Sequence, residues 1–104
     1  MTASPALLIE RTVERDHPAF AGHFPGAPVW PGACVLALVL HEAAAHPALA
    51  TPGGGIVVQQ VKFLALVGPG QTLAIELHDS PGGVAFHVRC GGTTVARGQL
   101  APAA

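Results

Sequence analysis

AGHFPGAPVWPGACVLALVLHEAA, residues 21–44, sets His23 in a loop stiffened by proline and glycine that runs directly into an apolar helix. Pro25, Pro28 and Pro31 fix backbone angles, while Gly22, Gly26 and Gly32 permit turns that other residues resist. A loop so constrained is costly to build unless a side chain must be held in place. Histidine is the side chain whose unperturbed pKa lies nearest neutrality, so the stretch reads as an active-site loop. The helix that follows is expected over ACVLALVLHEAAAH, residues 33–46, opened by Pro31 and Gly32 and closed by Pro47, which disfavours helix in the residue before it. Its apolar residues lie on every side, which predicts a helix buried all round or wrapped by a sheet.

On either side of this stretch the pattern changes to strands. Residues 6–16, ALLIERTVERD, predict a strand with a charged edge, broken by Asp16, His17 and Pro18. Beyond a Pro-Gly break at 52–55, IVVQQVKFLALV is expected to place Val57, Val61, Phe63, Ala65 and Val67 on one face. Leu73, Ile75 and Leu77 alternate in QTLAIELHD, and Val84, Phe86, Val88 and Cys90 in VAFHVRC. TTVARGQL, 93–100, completes the sheet, and the last four residues, APAA, are expected to fray. GPG, SPGG and CGG are short, turn-competent connections, so the segments predict an antiparallel meander. One buried helix with a curved antiparallel sheet is an α+β architecture in one domain spanning residues 1–104.

Composition narrows the function. Half the residues are hydrophobic and only 11% are charged, which suggests apolar surface that a second subunit covers. A net charge of −1, scattered basic residues and the absence of tyrosine argue against nucleic acid. The N-terminus lacks the basic start and long apolar run of a signal peptide, and the run Ala33–Leu40 is too short to span a bilayer. A cytoplasmic protein without membrane insertion is expected. Cys34 and Cys90 form neither a metal spacing nor a disulfide framework, and no cofactor or metal is expected.

Among candidate chemical groups, His23 stands first. The helix that begins near Gly32 presents unpaired N–H groups and a positive dipole end, suited to a carbonyl oxygen that becomes negative during reaction. A base beside an oxyanion site is what proton abstraction next to a thioester carbonyl requires. HEAAAH, 41–46, is not a zinc motif, because its histidines are five apart and about 140° out of alignment on a helix. Cys34 reads as a core thiol, and His17, His78 and His87 as ordinary strand or turn residues.

GHFPGAPVWPG followed by an apolar helix resembles the signature of the 3-hydroxyacyl-ACP dehydratases with the hotdog fold, the FabA/FabZ type. VQQVKFLALVGPGQTLAIELHDSPGGVAFHVRCGGTTVARGQL is similar to that family's strands, and the likeness runs over most of residues 8–100 as a short member. The resemblance implies a curved sheet around the helix and a dimer with acyl tunnels at its interface. It implies His23 as catalytic base and the Gly32 backbone N–H as donor to the thioester carbonyl. Phe24, Trp30, Pro31, Ala33, Ala37 and Phe63 are then the candidate substrate contacts, with Leu38, Val39 and Leu64 as further tunnel liners. The substrate would be carried by acyl carrier protein or CoA, in fatty acid, polyketide or polyene synthesis, and Arg89 and Arg97 are the candidates for carrier docking.

One position departs from the family. Where the family has an Asp or Glu on the helix, supplied by the partner subunit, this chain has Ala37. Dehydration needs one group to take the C2 proton and another to protonate the departing oxygen, and a methyl group does neither. Four readings follow. His41, one turn further along, substitutes as the second catalytic group; or a related subunit completes a heterodimer in place of a homodimer. Alternatively the chain binds acyl groups without turnover, or it is an acyl thioesterase.

Overall fold

The computed structural model describes residues 7–13 and 32–103. Its elements, in chain order, are β1 (Leu7–Thr12), α1 (Gly32–Ala43), a short 3-10 helix (Pro47–Leu49), β2 (Ile56–Phe63), β3 (Thr72–Ser80), β4 (Gly83–Cys90) and β5 (Thr93–Pro102). The five strands form one antiparallel sheet in the order β1-β3-β4-β5-β2. Only β3, β4 and β5 follow one another as the expected meander. β2 lies instead at the far edge beside β5.

Alternation fixes which face of the sheet meets the helix. Leu73, Ile75 and Leu77 of β3 and Val84, Phe86 and Val88 of β4 are buried as expected, and join Leu100 in one hydrophobic cluster. α1 contributes Val35, Val39 and Ala43, four residues apart and therefore on one stripe. Burying a valine side chain is worth about 1.5–3 kcal/mol, so this stripe holds the helix against the sheet. Arg11 reinforces the attachment: its Nε and Nη2 donate to the two carboxylate oxygens of Glu42 at 2.9 and 3.2 Å, tying β1 to α1.

Several local expectations are corrected. α1 ends at Ala43, three residues before His46, because His46 is needed elsewhere: in extended conformation its Nδ1 accepts the Ala48 amide and caps the 3-10 helix. Nor is the helix covered all round, since Ala33, Ala37 and His41 form an exposed stripe opposite the buried one. In β2 the register slips at Gln59, where Val58 pairs with Leu100 and Gln60 with Gln99. This bulge reverses the alternation, so Val58 and Val61 pack on the core while Val57 faces outward. Val57 and Val61 therefore do not share a face. Ala101 and Pro102 are not frayed, because β5 pairs them with Val57 and Ile56.

Turn chemistry sets the remaining geometry. Pro81 and Gly82 link β3 to β4 in a two-residue turn, and Gly82 takes the positive φ of 79° that glycine adopts without strain. The longer connection from β2 to β3 is tied down by the Leu64 amide donating to the Val95 carbonyl at 2.7 Å and the Gly70 amide donating to that of Val13 at 2.8 Å. Its Val67 is buried.

Candidate active site

His23, Phe24, Trp30 and Pro31 lie outside the described residues. The described part of the expected site begins at Gly32, the first residue of α1. Gly32 stands at the positive end of the helix dipole, where first-turn amides have no carbonyl one turn back within the helix. Phe63, the last residue of β2, lies against this point. A methyl group added to Gly32 would sit 3.2 Å from Cδ1 and Cε1 of the Phe63 ring. The fold thus brings together two expected site residues that are far apart in sequence, and Gly32 leaves room for the aromatic wall.

Ala33, Ala37 and His41 continue from Gly32 along the exposed stripe of the helix. At a rise of 1.5 Å per residue, Ala37 lies about 7.5 Å and His41 about 13 Å along the axis from Gly32. An imidazole spans a fraction of the longer distance even when it leans toward the helix N-terminus. His41 and Gly32 of one chain therefore do not meet at one reacting group. Of the expected liners, Val39 is fully buried in the core, whereas Phe63 and Leu64 are half exposed. Leu66, unremarkable in sequence, is 77% exposed and extends an apolar surface from Phe63. Its exposure follows from β2 ending at Phe63, which no periodicity signals.

The two arginines considered for carrier docking differ. Arg89 is paired with Glu76, while Arg97 stands on β5 beside Lys62 of β2 with no carboxylate partner among the described residues. His78 lies 3.2 Å from Glu76, and His87 Nε2 is 2.9 Å from the Thr94 hydroxyl. Among the described residues no three His, Cys, Asp or Glu side chains come together as a metal site, and no helix is long and apolar enough to cross a membrane. Both cysteines are free and partly buried.

Comparison with known proteins agrees with this fold. The ApeI-like family, described as ApeI dehydratase, matches residues 2–99. The 3-hydroxyacyl-[acyl-carrier-protein] dehydratase FabZ of Thermus thermophilus is 35% identical, over 69% of this chain and 64% of its own length. FabZ of Chlamydia trachomatis is 30% identical, over 91% of this chain and 70% of its own length. The chain thus spans just under two-thirds of the Thermus relative. Among solved structures, the dehydratase heterocomplex ApeI:P from Xenorhabdus doucetiae superposes with a TM-score of 0.74 at 26% identity, covering 90% of this chain and 83% of that one. The fluoroacetyl-CoA-specific thioesterase FlK superposes with a TM-score of 0.65 at 17% identity, covering 96% of this chain and 91% of that one, a likeness of fold alone. From the sheet order, the helix laid across the sheet, and the family match along nearly the whole sequence, the chain is a hotdog-fold member of the ApeI-like dehydratase family.

Proposed function

We propose that the chain is a 3-hydroxyacyl-thioester dehydratase subunit that acts with a related hotdog partner. His23 removes the C2 proton, and the Gly32 amide receives the thioester oxygen as negative charge develops on it. The observation that carries this reading is the place of Gly32 at the N-terminus of α1, directly against the Phe63 ring. A donor aimed at a developing oxyanion is often the largest single contribution to such a reaction, about 3–4 kcal/mol per hydrogen bond. Phe24, Trp30, Pro31, Ala33, Ala37 and Phe63 are assigned to the walls of the acyl site. Acyl carrier protein is the proposed carrier of the substrate, with CoA as the other candidate, and the cytoplasm is the proposed setting.

Loss of the C3 hydroxyl needs a second group, and among the described residues the exposed stripe of α1 offers none near Gly32. Ala37 has no proton to give, and His41 of the same chain is too far along the helix. A subunit whose own helix carries the acid restores the pair. The exposed stripe Ala33-Ala37-His41 and the apolar surface of Phe63, Leu64 and Leu66 support a covering subunit. The likeness to a dehydratase heterocomplex favours a different subunit over a second copy. A homodimer in which the partner's histidine at this helix position serves as the acid is the second reading, supported by His41 lying on the same exposed stripe as Ala37.

Absorbance of a crotonyl thioester at the enoyl band tests the proposal. The purified chain alone is expected to hydrate it slowly. Ala37→Glu is expected to raise the rate by about 10²–10⁴, the usual range for a positioned acid or base, and His23→Ala to abolish the gain. Release of free thiol in place of hydration would assign the chain to the thioesterases. Full activity of the wild-type homodimer that disappears in His41→Ala would replace the heterodimer by the second reading. Saturable acyl binding with no turnover in either the wild type or Ala37→Glu would leave an acyl-binding protein.

A further inference from the structure

The face of the sheet turned away from α1 carries a second constellation, independent of the dehydratase reading. Alternation places Gln60 and Lys62 of β2, Arg97 and Gln99 of β5, Ala85 and His87 of β4, and Glu76 and His78 of β3 on this outer face. Register aligns them in rows. Lys62 is directly opposite Arg97, and Arg97 directly opposite His87. Like charges set opposite each other across antiparallel strands destabilise a sheet, so the Lys62–Arg97 pair is unfavourable as it stands.

The nearest carboxylate does not relieve it. Glu76 comes next in the row, opposite His87, but its two oxygens are engaged by Arg89 and His78. Asp79 reaches His46 at 3.4 Å beside the 3-10 helix. Among the described residues Lys62 and Arg97 therefore lack any anionic partner. Beside them the small side chain of Ala85 leaves a hollow of about 410 Å³, which Gln60, Lys62, His78, His87, Arg97 and Gln99 surround. Gln99 is held in place by its hydrogen bond to Ser80.

We propose that this hollow binds a phosphate ester. A phosphate monoester brings between one and two negative charges and three strong acceptor oxygens. The arginine fork matches such oxygens in geometry, the lysine adds a point charge, and the glutamine amides add neutral donors. The size of the hollow suits a phosphate group and a small substituent, and does not suit the broad surface of an acidic protein. Lys62 is adjacent to Phe63 in β2 but points to the opposite face, so a ligand here leaves the acyl site open.

The test is an NMR titration of the full chain with inorganic phosphate and, separately, with phenyl phosphate, against sodium chloride at matched ionic strength. Saturable shifts are expected at the amides of residues 60–62, 85–87 and 97–99. Lys62→Gln and Arg97→Gln should each weaken binding about tenfold or more, the usual effect of losing a hydrogen bond to a charged group. Ala85→Met should weaken it as well by filling the hollow while leaving every charge in place. Arg11→Gln, which removes the same charge from the helix side of the sheet, should leave it unchanged. Tighter binding of phenyl phosphate is the result expected of an ester site, and equal binding would overturn the ester in favour of free phosphate. Linear shifts, the same shifts in chloride, or equal weakening by Arg11→Gln would overturn the proposal.

Discussion

Gly98→Ala tests how the sheet holds the site. Gly98 lies on the inner face of β5 between Val61 of β2 and Phe86 of β4. An added methyl would meet the Gln60 carbonyl oxygen far inside contact distance, and would lie 2.7 Å from both Cε2 and Cζ of Phe86. The carbonyl belongs to a paired backbone and cannot rotate away, so β2 must move off β5. Two ladder hydrogen bonds at about 1 kcal/mol each are then weakened. A displaced Phe86 ring adds about 1 kcal/mol of rotamer strain. The smaller unfolded-state entropy of alanine returns about 0.4–1 kcal/mol. A net loss of about 2–3 kcal/mol is expected, or a fall in Tm of roughly 10–20 °C for a domain of this size.

Urea unfolding followed by far-UV circular dichroism at fixed protomer concentration measures the loss. Gly92→Ala is the matched control, because a methyl there meets nothing within 4 Å, and it should stay within about 0.5 kcal/mol of wild type. A second consequence reaches the proposed acyl site. Phe63 follows Val61 on the same face of β2, so displacing β2 withdraws the ring from Gly32. Gly98→Ala should therefore lose thioester turnover even at temperatures where it remains folded. A loss of stability below about 1 kcal/mol, equal to that of the control, would refute the contact on which this reasoning stands.

Gly32→Ala should change stability by less than about 1 kcal/mol, because the helix propensity of alanine offsets the 3.2 Å contact with a half-exposed ring; thioester turnover should nevertheless fall about tenfold or more as the Phe63 wall is pushed back. Val61→Thr should cost about 1–3 kcal/mol and Val57→Thr about 0.5 kcal/mol or less by denaturant unfolding, and equal costs would contradict the bulge at Gln59. Arg11→Met should cost less than about 1 kcal/mol in the same assay, since half of the arginine side chain is in water and screens its pairing with Glu42.

Sequence pattern reveals those elements whose physics is local. Leu73, Ile75 and Leu77 alternate because β3 is buried on one face only, and the paired Pro-Gly signals mark its turns. Pro47 likewise marks the end of the helical region, although the capping role of His46 ends α1 at Ala43. The pairing of β2 with β5 is not local. It depends on a crossover between opposite edges of the sheet and on one extra residue at Gln59, and each escapes a reading of period alone. The site divides in the same way. Gly32 is legible from the loop and the helix start, but the Phe63 wall against it exists only after β2 has found its place at the sheet edge. The Lys62–Arg97 pair is hidden for the same reason, since the two residues become neighbours, beside His87, through register.

Position 37 connects fold to function. A carboxylate there would stand on the uncovered stripe of α1, where a covering subunit would take it out of water. An ionised group buried without a partner costs several kcal/mol, so the position tolerates an acid only where substrate or a neighbouring charge uses it. Alanine is the strongest helix former and carries no such cost. Ala37 is therefore the residue expected of a subunit that gives no acid to its partner's site. In the proposed reaction the Gly32 amide and the Phe63 wall would remain useful in that subunit, because stabilising the developing oxyanion does not depend on which chain delivers the proton. The exposed Leu64 and Leu66 give the same subunit a reason to be covered, through the cost of leaving their apolar surface in water. In the proposed heterodimer, incomplete chemistry and incomplete burial meet along one edge of the domain, and a single partner carrying the acid on its own helix would supply both.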